Sequence, residues 1–229
     1  MPIKVLPPSR KDNRIRVLLV DDHAILRQGL AQLINQESDM VVCGEAEEAP
    51  KGFELAETLQ PDVAVVDVSL KSGNGIELIK DLKASLPHLP ILVLSMHDEN
   101  LYAERALRAG GLGYIMKEEA AESVLIGIRK VLKGEVVLSE KMQTRLLSQL
   151  VSGRGKPGTS PIDSLSDREL EVFRLIGEGR GTRQIAEELH LSIRTVEAYR
   201  EYIKDKLQLK NGTELAQHAF QWVHNESAR

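Results

Sequence analysis

The strongest constraint on this chain is a set of short apolar runs, each stopping at a residue able to do chemistry. VLLV (17–20) stops at Asp21-Asp22, VAVV (63–66) at Asp67, ILVL (91–94) at Ser95, and GYI (113–115) leads to Lys117. Runs this short and this uniformly apolar fit strands buried on both faces, which requires a parallel sheet with helices above and below. The predicted strands are Arg16–Val20, Met40–Ala46, Val63–Asp67, Ile91–Ser95 and Gly113–Ile115, alternating with amphipathic stretches near 23–36, 48–59, 74–85, 99–109 and 119–133. The expectation is an α/β, five-stranded parallel doubly wound domain, whose ligands would sit beyond the carboxyl ends of the strands.

Those ends carry three carboxylates, a hydroxyl and an ammonium: Asp21, Asp22, Asp67, Ser95 and Lys117. Singly each has an ordinary explanation. An acidic pair after a strand can cap the next helix, and a lone lysine is usually solvated. Together they form a set suited to phosphoryl transfer. Converging carboxylates repel and raise one another's pKa, and a hard divalent cation such as Mg²⁺ removes the conflict. Asp67 is then free to act as a nucleophile, with Ser95 and Lys117 holding phosphoryl oxygens.

Beyond Gly134 the pattern changes. A connecting helix is expected over 139–152, then a Gly/Pro/Ser-rich linker, SGRGKPGTSPIDS, over 152–164. From Leu165 the period is helical throughout, with segments near 167–177, 182–189, 193–207 and 213–223. Ser166 followed by Glu169 is a capping box, and His190-Leu191 makes the short turn of a helix-turn-helix before Ser192 caps the third helix. In that helix Ile193, Val196, Ile203 and Leu207 fall mainly on one face. The predicted organisation is a domain over 14–135, a connector over 136–164 and an all-α four-helix domain over 165–229.

Composition bears on partners and location. The chain carries −4 formally; residues 1–135 hold 16 basic and 21 acidic side chains, and residues 165–229 hold 10 and 11. The C-terminal part lacks the strong positive excess of a nonspecific DNA binder. No apolar run approaches the roughly 20 residues of a membrane helix. The first thirteen residues, with three prolines, do not read as a secretory signal. The single cysteine, Cys43, is expected as a buried strand residue and fits a reducing cytosol. A cytoplasmic location without membrane partners follows.

VLLVDDH, VAVVD, ILVLS and GYIMK, in this order, resemble the receiver domain of bacterial two-component response regulators over about 14–133. The resemblance implies that Asp67 accepts a phosphoryl group from a sensor histidine kinase. It implies Mg²⁺ on Asp21, Asp22, Asp67 and the backbone carbonyl of Ser69, and Ser95 with Tyr114 as a switch pair. One departure stands out: where such receivers commonly read Met-Pro, this chain has Leu70-Lys71 in DVSLKSGNG. Without that proline the loop is expected to be less constrained, and Lys71 could attract phosphate or disturb partner docking.

LSDRELEV, IAEELHLSIRTVEAYR and KLQLKNGTEL resemble the LuxR-type helix-turn-helix of the NarL/FixJ group. The resemblance implies that 193–207 enters the major groove of double-stranded DNA, with Arg183, Arg194, Thr195, Glu197, Ala198, Arg200 and Lys204 as contacts. It also implies that the last helix can mediate a homodimer. Glu197 and Glu201 stand where relatives often carry lysine. The expected function is a phosphorylation-controlled transcriptional regulator, not an enzyme. Two alternatives remain at this point: a receiver whose helical domain binds protein and not DNA, and a Mg-dependent phosphohydrolase.

Overall fold

The computed structural model describes residues 13–96, 99–119, 121–151 and 161–226. Five strands, β1 (Ile15–Val20), β2 (Met40–Ala46), β3 (Val63–Asp67), β4 (Ile91–Ser95) and β5 (Gly113–Met116), alternate with α1 (Ala24–Gln36), α2 (Ala49–Leu59), α3 (Gly75–Ser85), α4 (Glu99–Arg108) and α5 (Ala121–Leu132). The sheet runs in the order β2-β1-β3-β4-β5, all parallel. β3 and β4 are buried at every residue, as their uniformly apolar runs require. One core cluster joins Val17, Leu19, Val63, Val65, Leu92 and Leu94 to Leu30 and Ile34 of α1 and Val124 and Ile128 of α5. Cys43, expected to be buried on β2, is only half-buried because β2 is an edge strand.

The chain divides into two compact units between Gln143 and Thr144, inside α6 (Glu140–Val151). Both ends of the expected connector turn out to be built structure. Val137 lies along β5: Tyr114 N–H donates to its carbonyl at 2.8 Å and its own N–H reaches Leu112 O at 2.9 Å. The β5 edge offered unpaired backbone groups, and a β-branched residue took them up. Just beyond, Ser139 N–H donates to Glu99 Oε1 at 2.9 Å, while its hydroxyl both binds Glu99 and caps Met142 N–H. At the other end Pro161–Ser164 forms a 3-10 turn whose Ile162 is buried. The flexible linker was expected over 152–164; its last four residues are this turn, and 152–160 lie outside the described residues.

Among the described residues of the second unit the regular elements are all helices, and beyond the 3-10 turn they are α7 (Asp167–Gly177), α8 (Thr182–Glu188), α9 (Ile193–Leu207) and α10 (Gly212–Glu226). Ser166 and Glu169 form the expected capping box, the Ser166 hydroxyl accepting from Glu169 N–H and the Glu169 carboxylate from Ser166 N–H at 2.7 Å. Burial pushes the Glu169 carboxyl up, but hydrogen bonds from Lys206 and Ser166 hold it below the ordinary range. Ser166→Ala is expected to cost this unit about 1 kcal/mol. Urea unfolding followed through Trp222, the chain's one tryptophan, checks it. Among the described residues no helix is long and apolar enough to cross a membrane.

Candidate phosphoacceptor pocket and helix-turn-helix

Sheet register assembles the pocket. Val20 pairs with Val66, Asp67 with Leu94, and Ser95 with Met116. Asp21 therefore follows β1 beside Asp67, Ser95 lies one step beyond Asp67's partner, and Lys117 one step beyond that of Ser95. Asp21, Asp67 and Ser95 are buried. The Lys117 side chain is 1 % exposed, with Nζ 2.7 Å from Asp67 Oδ2 and 2.8 Å from Asp21 Oδ2. The Asp67 contact is a directed hydrogen bond; the Asp21 contact is an ion pair without good hydrogen-bond direction. Lys117 N–H donates to Ser95 O at 2.8 Å, fixing the lysine's backbone to the end of β4.

Asp22 is partly exposed, and His23 stands over the group. His23 Nδ1 is 2.7 Å from Asp22 Oδ1, 3.5 Å from Asp21 Oδ1 and 3.9 Å from Asp67 Oδ2. Its backbone N–H donates to Asp21 Oδ1 at 2.8 Å. Burial is the main influence on Asp67; the nearby Lys117 charge pulls its carboxyl down and Asp21 and Asp22 push it up, leaving it at about 7. A buried carboxylate strained in this way is what a divalent cation relieves. The donor set, three carboxylates with a cationic amine already drawn among them, fits such an ion.

The loop after Asp67, expected to be less constrained for want of a proline, is held by backbone pairing. Gly75 N–H donates to Val68 O at 2.8 Å, Ala49 N–H to Ser72 O at 3.0 Å, and Ser69 forms a β-bridge with Asn74. The buried Asn74 side chain then caps α3, accepting from Ile76 N–H at 2.8 Å and Glu77 N–H at 3.4 Å. Backbone pairing thus ties both ends of this loop to the fold. Lys71 lies 3.6 Å from Glu47, a carboxylate that competes for its charge. Tyr114, on β5, is 2 % exposed, its ring fully enclosed.

In the second unit α8 and α9 form the expected helix-turn-helix. His190 takes a left-handed conformation, φ 52°, and Leu191 N–H returns to Ala186 O at 2.8 Å. Arg168, from α7, holds this turn: it pairs with Glu171 at 2.6 Å and donates to Leu189 O at 3.1 Å. Ser192 Oγ accepts from Thr195 N–H at 3.0 Å and lies 2.7 Å from the Thr195 hydroxyl, so Thr195 is part of the cap. Val196 and Ile203 are fully buried. Ile193, expected beside them, is 43 % exposed because it precedes the first buried turn. Arg183, Arg194, Glu197 and Glu201 are exposed, while Ala198, Arg200 and Lys204 are half-buried. Lys204 is 2.8 Å from Glu201 and Lys206 is 2.6 Å from Glu169.

Comparison with known proteins agrees with both halves. Residues 17–129 match the response regulator receiver domain, and residues 163–219 match the LuxR family of bacterial regulatory proteins. The oxygen regulatory protein NreC of Staphylococcus aureus is 36 % identical over 209 residues, 90 % of this chain and 96 % of that protein. The chain belongs to the LuxR-family response regulators. It is a DNA-binding transcriptional regulator of the two-component type, controlled by phosphorylation. Among solved structures, Salmonella enterica RcsB bound to a promoter with a phosphomimetic is 28 % identical with a TM-score of 0.59, covering 90 % of this chain and 98 % of that one. A LuxR-family two-component response regulator from Aurantimonas is 29 % identical with a TM-score of 0.56, covering 60 % of this chain and 99 % of its own.

His23 is the pocket residue that strand-end reasoning missed. It lies one position past the acidic pair, at the N-cap of α1, where its side chain caps nothing and no local pattern marks it as a pocket residue.

Proposed function

We propose that Asp67 is the phosphoryl acceptor of this response regulator. The observation that carries this is the buried Asp67–Lys117–Asp21 cluster, with contacts of 2.7 and 2.8 Å. An Asp67 carboxylate oxygen attacks the phosphorus of a phosphohistidine in a sensor kinase. The new O–P bond forms as the P–N bond to the donor breaks. Lys117 and Ser95 take the phosphoryl oxygens, and Asp21, Asp22, Asp67 and the Ser69 carbonyl would hold Mg²⁺. Bound Mg²⁺ supplies positive charge against the carboxylates and the incoming phosphoryl group. Ser95 and Tyr114 then relay the change across the sheet. The chain works as a switch in the cytoplasm and not as a catalyst of turnover.

The receiver module over 14–135 and the helix-turn-helix module over 165–229 divide the work, joined by 136–164 with its two anchored ends. Ile193–Leu207 lies in the major groove, with Arg183, Arg194, Arg200 and Lys204 toward phosphates and Thr195, Glu197 and Ala198 near base edges. A carboxylate can accept from cytosine N4. Pairing of two chains would place two such helices on two half-sites. The promoter-bound RcsB relative supports this use of the fold.

One observation favours a second reading, in which the helical module binds protein. Glu197 and Glu201 are exposed on α9, while Lys204 and Lys206 are drawn into ion pairs. Selection from random duplex DNA, with and without acetyl phosphate and Mg²⁺, separates the two. The DNA reading expects an enriched paired sequence, bound more tightly after phosphorylation. Arg194→Ala should weaken that binding roughly 3- to 10-fold and flatten its salt dependence. If no duplex shows salt-dependent binding, the protein-interaction reading stands in its place.

A further inference from the structure

Between α5 and α6 the chain does not simply leave the first unit. Gly134 turns it at φ 78°. Val137 then lies along β5, donating to Leu112 O at 2.9 Å and accepting from Tyr114 N–H at 2.8 Å. The approach is so close that glycine is needed opposite: a Cβ at Gly113 would lie 2.8 Å from Val137 Cβ and 3.1 Å from Val137 O. At Ser139 the partner changes. Its N–H donates to Glu99 Oε1 at 2.9 Å and its hydroxyl to Glu99 Oε2, while its Oγ accepts from Met142 N–H at 3.1 Å. Met142 is 1 % exposed, so the first turn of α6 is seated as well as capped.

The two anchors belong to parts of the fold with different freedom. Val137 is held by a strand of the sheet, through backbone bonds and packing against the core. Ser139 is held by one side chain in the first turn of α4, and only three residues separate that turn from Ser95 at the end of β4. Ser95 is fully buried one step beyond Asp67's strand partner, and its carbonyl accepts from Lys117 N–H at 2.8 Å. With Lys117 Nζ drawn to the Asp67 carboxylate at 2.7 Å, the Ser139–Glu99 bonds are closed. A phosphoryl group on Asp67 brings oxygens that take up the Lys117 ammonium and the Ser95 hydroxyl. A shift of Ser95 reaches the start of α4 through that short covalent link. Hydrogen bonds weaken steeply past about 3.2 Å, so a displacement of about 1 Å at Glu99 is enough to open them.

We propose that Glu99 and Ser139 form a clamp that phosphorylation of Asp67 opens, releasing the start of α6 while Val137 stays on β5. The bistable element is the segment between Val137 and Met142, and the bias comes from the position of α4. Opening lengthens the free tether to the helical module at its receiver end. The clamp rests on Asp67 being the phosphoryl acceptor.

Amide hydrogen exchange at single residues tests it, on the full chain in Mg²⁺ with and without beryllofluoride as the phosphoryl mimic. Binding of beryllofluoride is followed by ¹⁹F magnetic resonance on the same sample. When it binds, the Ser139 and Met142 amides should exchange about tenfold faster or more, and the Val137 and Tyr114 amides should keep their rates. Without beryllofluoride, Glu99→Ala should already show the fast Ser139 rate and Ser139→Ala the fast Met142 rate, with circular dichroism checking that each is folded. Unchanged Ser139 and Met142 rates with beryllofluoride bound overturn the clamp and leave Asp67 as the acceptor. So does an equal loss of protection at Val137, which would mean that the whole segment lets go as one piece. If beryllofluoride does not bind the parent, or binds Asp67→Asn equally, the acceptor assignment fails and the clamp fails with it.

Discussion

Asp67→Asn should abolish phosphoryl uptake from labelled acetyl phosphate in the presence of Mg²⁺, and in metal-free buffer above pH 7 it should make the protein more stable. The first result follows from chemistry: an amide oxygen is a poor nucleophile toward phosphorus, and no other described strand end offers a carboxylate that Lys117 contacts as closely. Label remaining on the variant would show that the acceptor is another residue.

The second result follows from the pocket's electrostatics. Burial above all raises the Asp67 carboxyl from 3.8 to about 7, Lys117 opposing the shift and Asp21 and Asp22 adding to it. An acid whose pKa is higher folded than unfolded binds its proton more tightly in the folded state. Its ionisation therefore removes stability as pH rises from about 4 through about 7. Asparagine cannot ionise, so the variant should lose this slope. Above pH 7 it should gain a few kcal/mol, on the order of 2–4, the Lys117 attraction being already contained in that shift. Mg²⁺ should stabilise the parent more than the variant. Urea unfolding at pH 5 and pH 8, followed by circular dichroism, measures all three. A variant less stable than the parent at pH 8 would mean that the Lys117 pairing outweighs the burial of charge.

How much of this was legible follows from where the information lies. The strands were visible because residues buried on both faces leave no room for polar alternation, as in VAVVD and ILVLS. The pocket was visible because each of its acids, its hydroxyl and its lysine terminates such a run. Long-range pairings were not. Val137 joining β5 and Ser139 binding Glu99 connect residues far apart in the chain, and neither segment carries a periodic pattern. The pairing within the DVSLKSGNG loop was hidden for a related reason. An absent proline is readable locally, whereas the bonds from Ala49 to Ser72 and from Gly75 to Val68 exist only once the fold has formed. His23 escaped notice because Asp67 and Lys117, which its ring faces, reach it only through the sheet.

That loop also yields the largest expected stability effect. Gly75→Ala should cost the first unit about 3–5 kcal/mol and impair phosphoryl uptake with it. A Cβ at Gly75 would lie 1.8 Å from Asp67 O, 2.8 Å from Asp67 C and 2.9 Å from Val68 Cα. All three are backbone atoms, so no rotamer change relieves the clash. Either the first turn of α3 retreats or the end of β3 moves. The first breaks the Gly75–Val68 hydrogen bond and pulls Asn74 from its capping position. The second displaces Asp67 itself. Gly29→Ala is the matched control: it lies inside α1 with nothing within 4 Å of the added carbon. There the helix preference of alanine should raise stability by up to about 1 kcal/mol. Denaturation of both variants, with uptake of labelled phosphate alongside, tests the contrast. Equal stabilities would show that β3 and α3 are free to part without cost, and the pocket could not then owe its geometry to their contact.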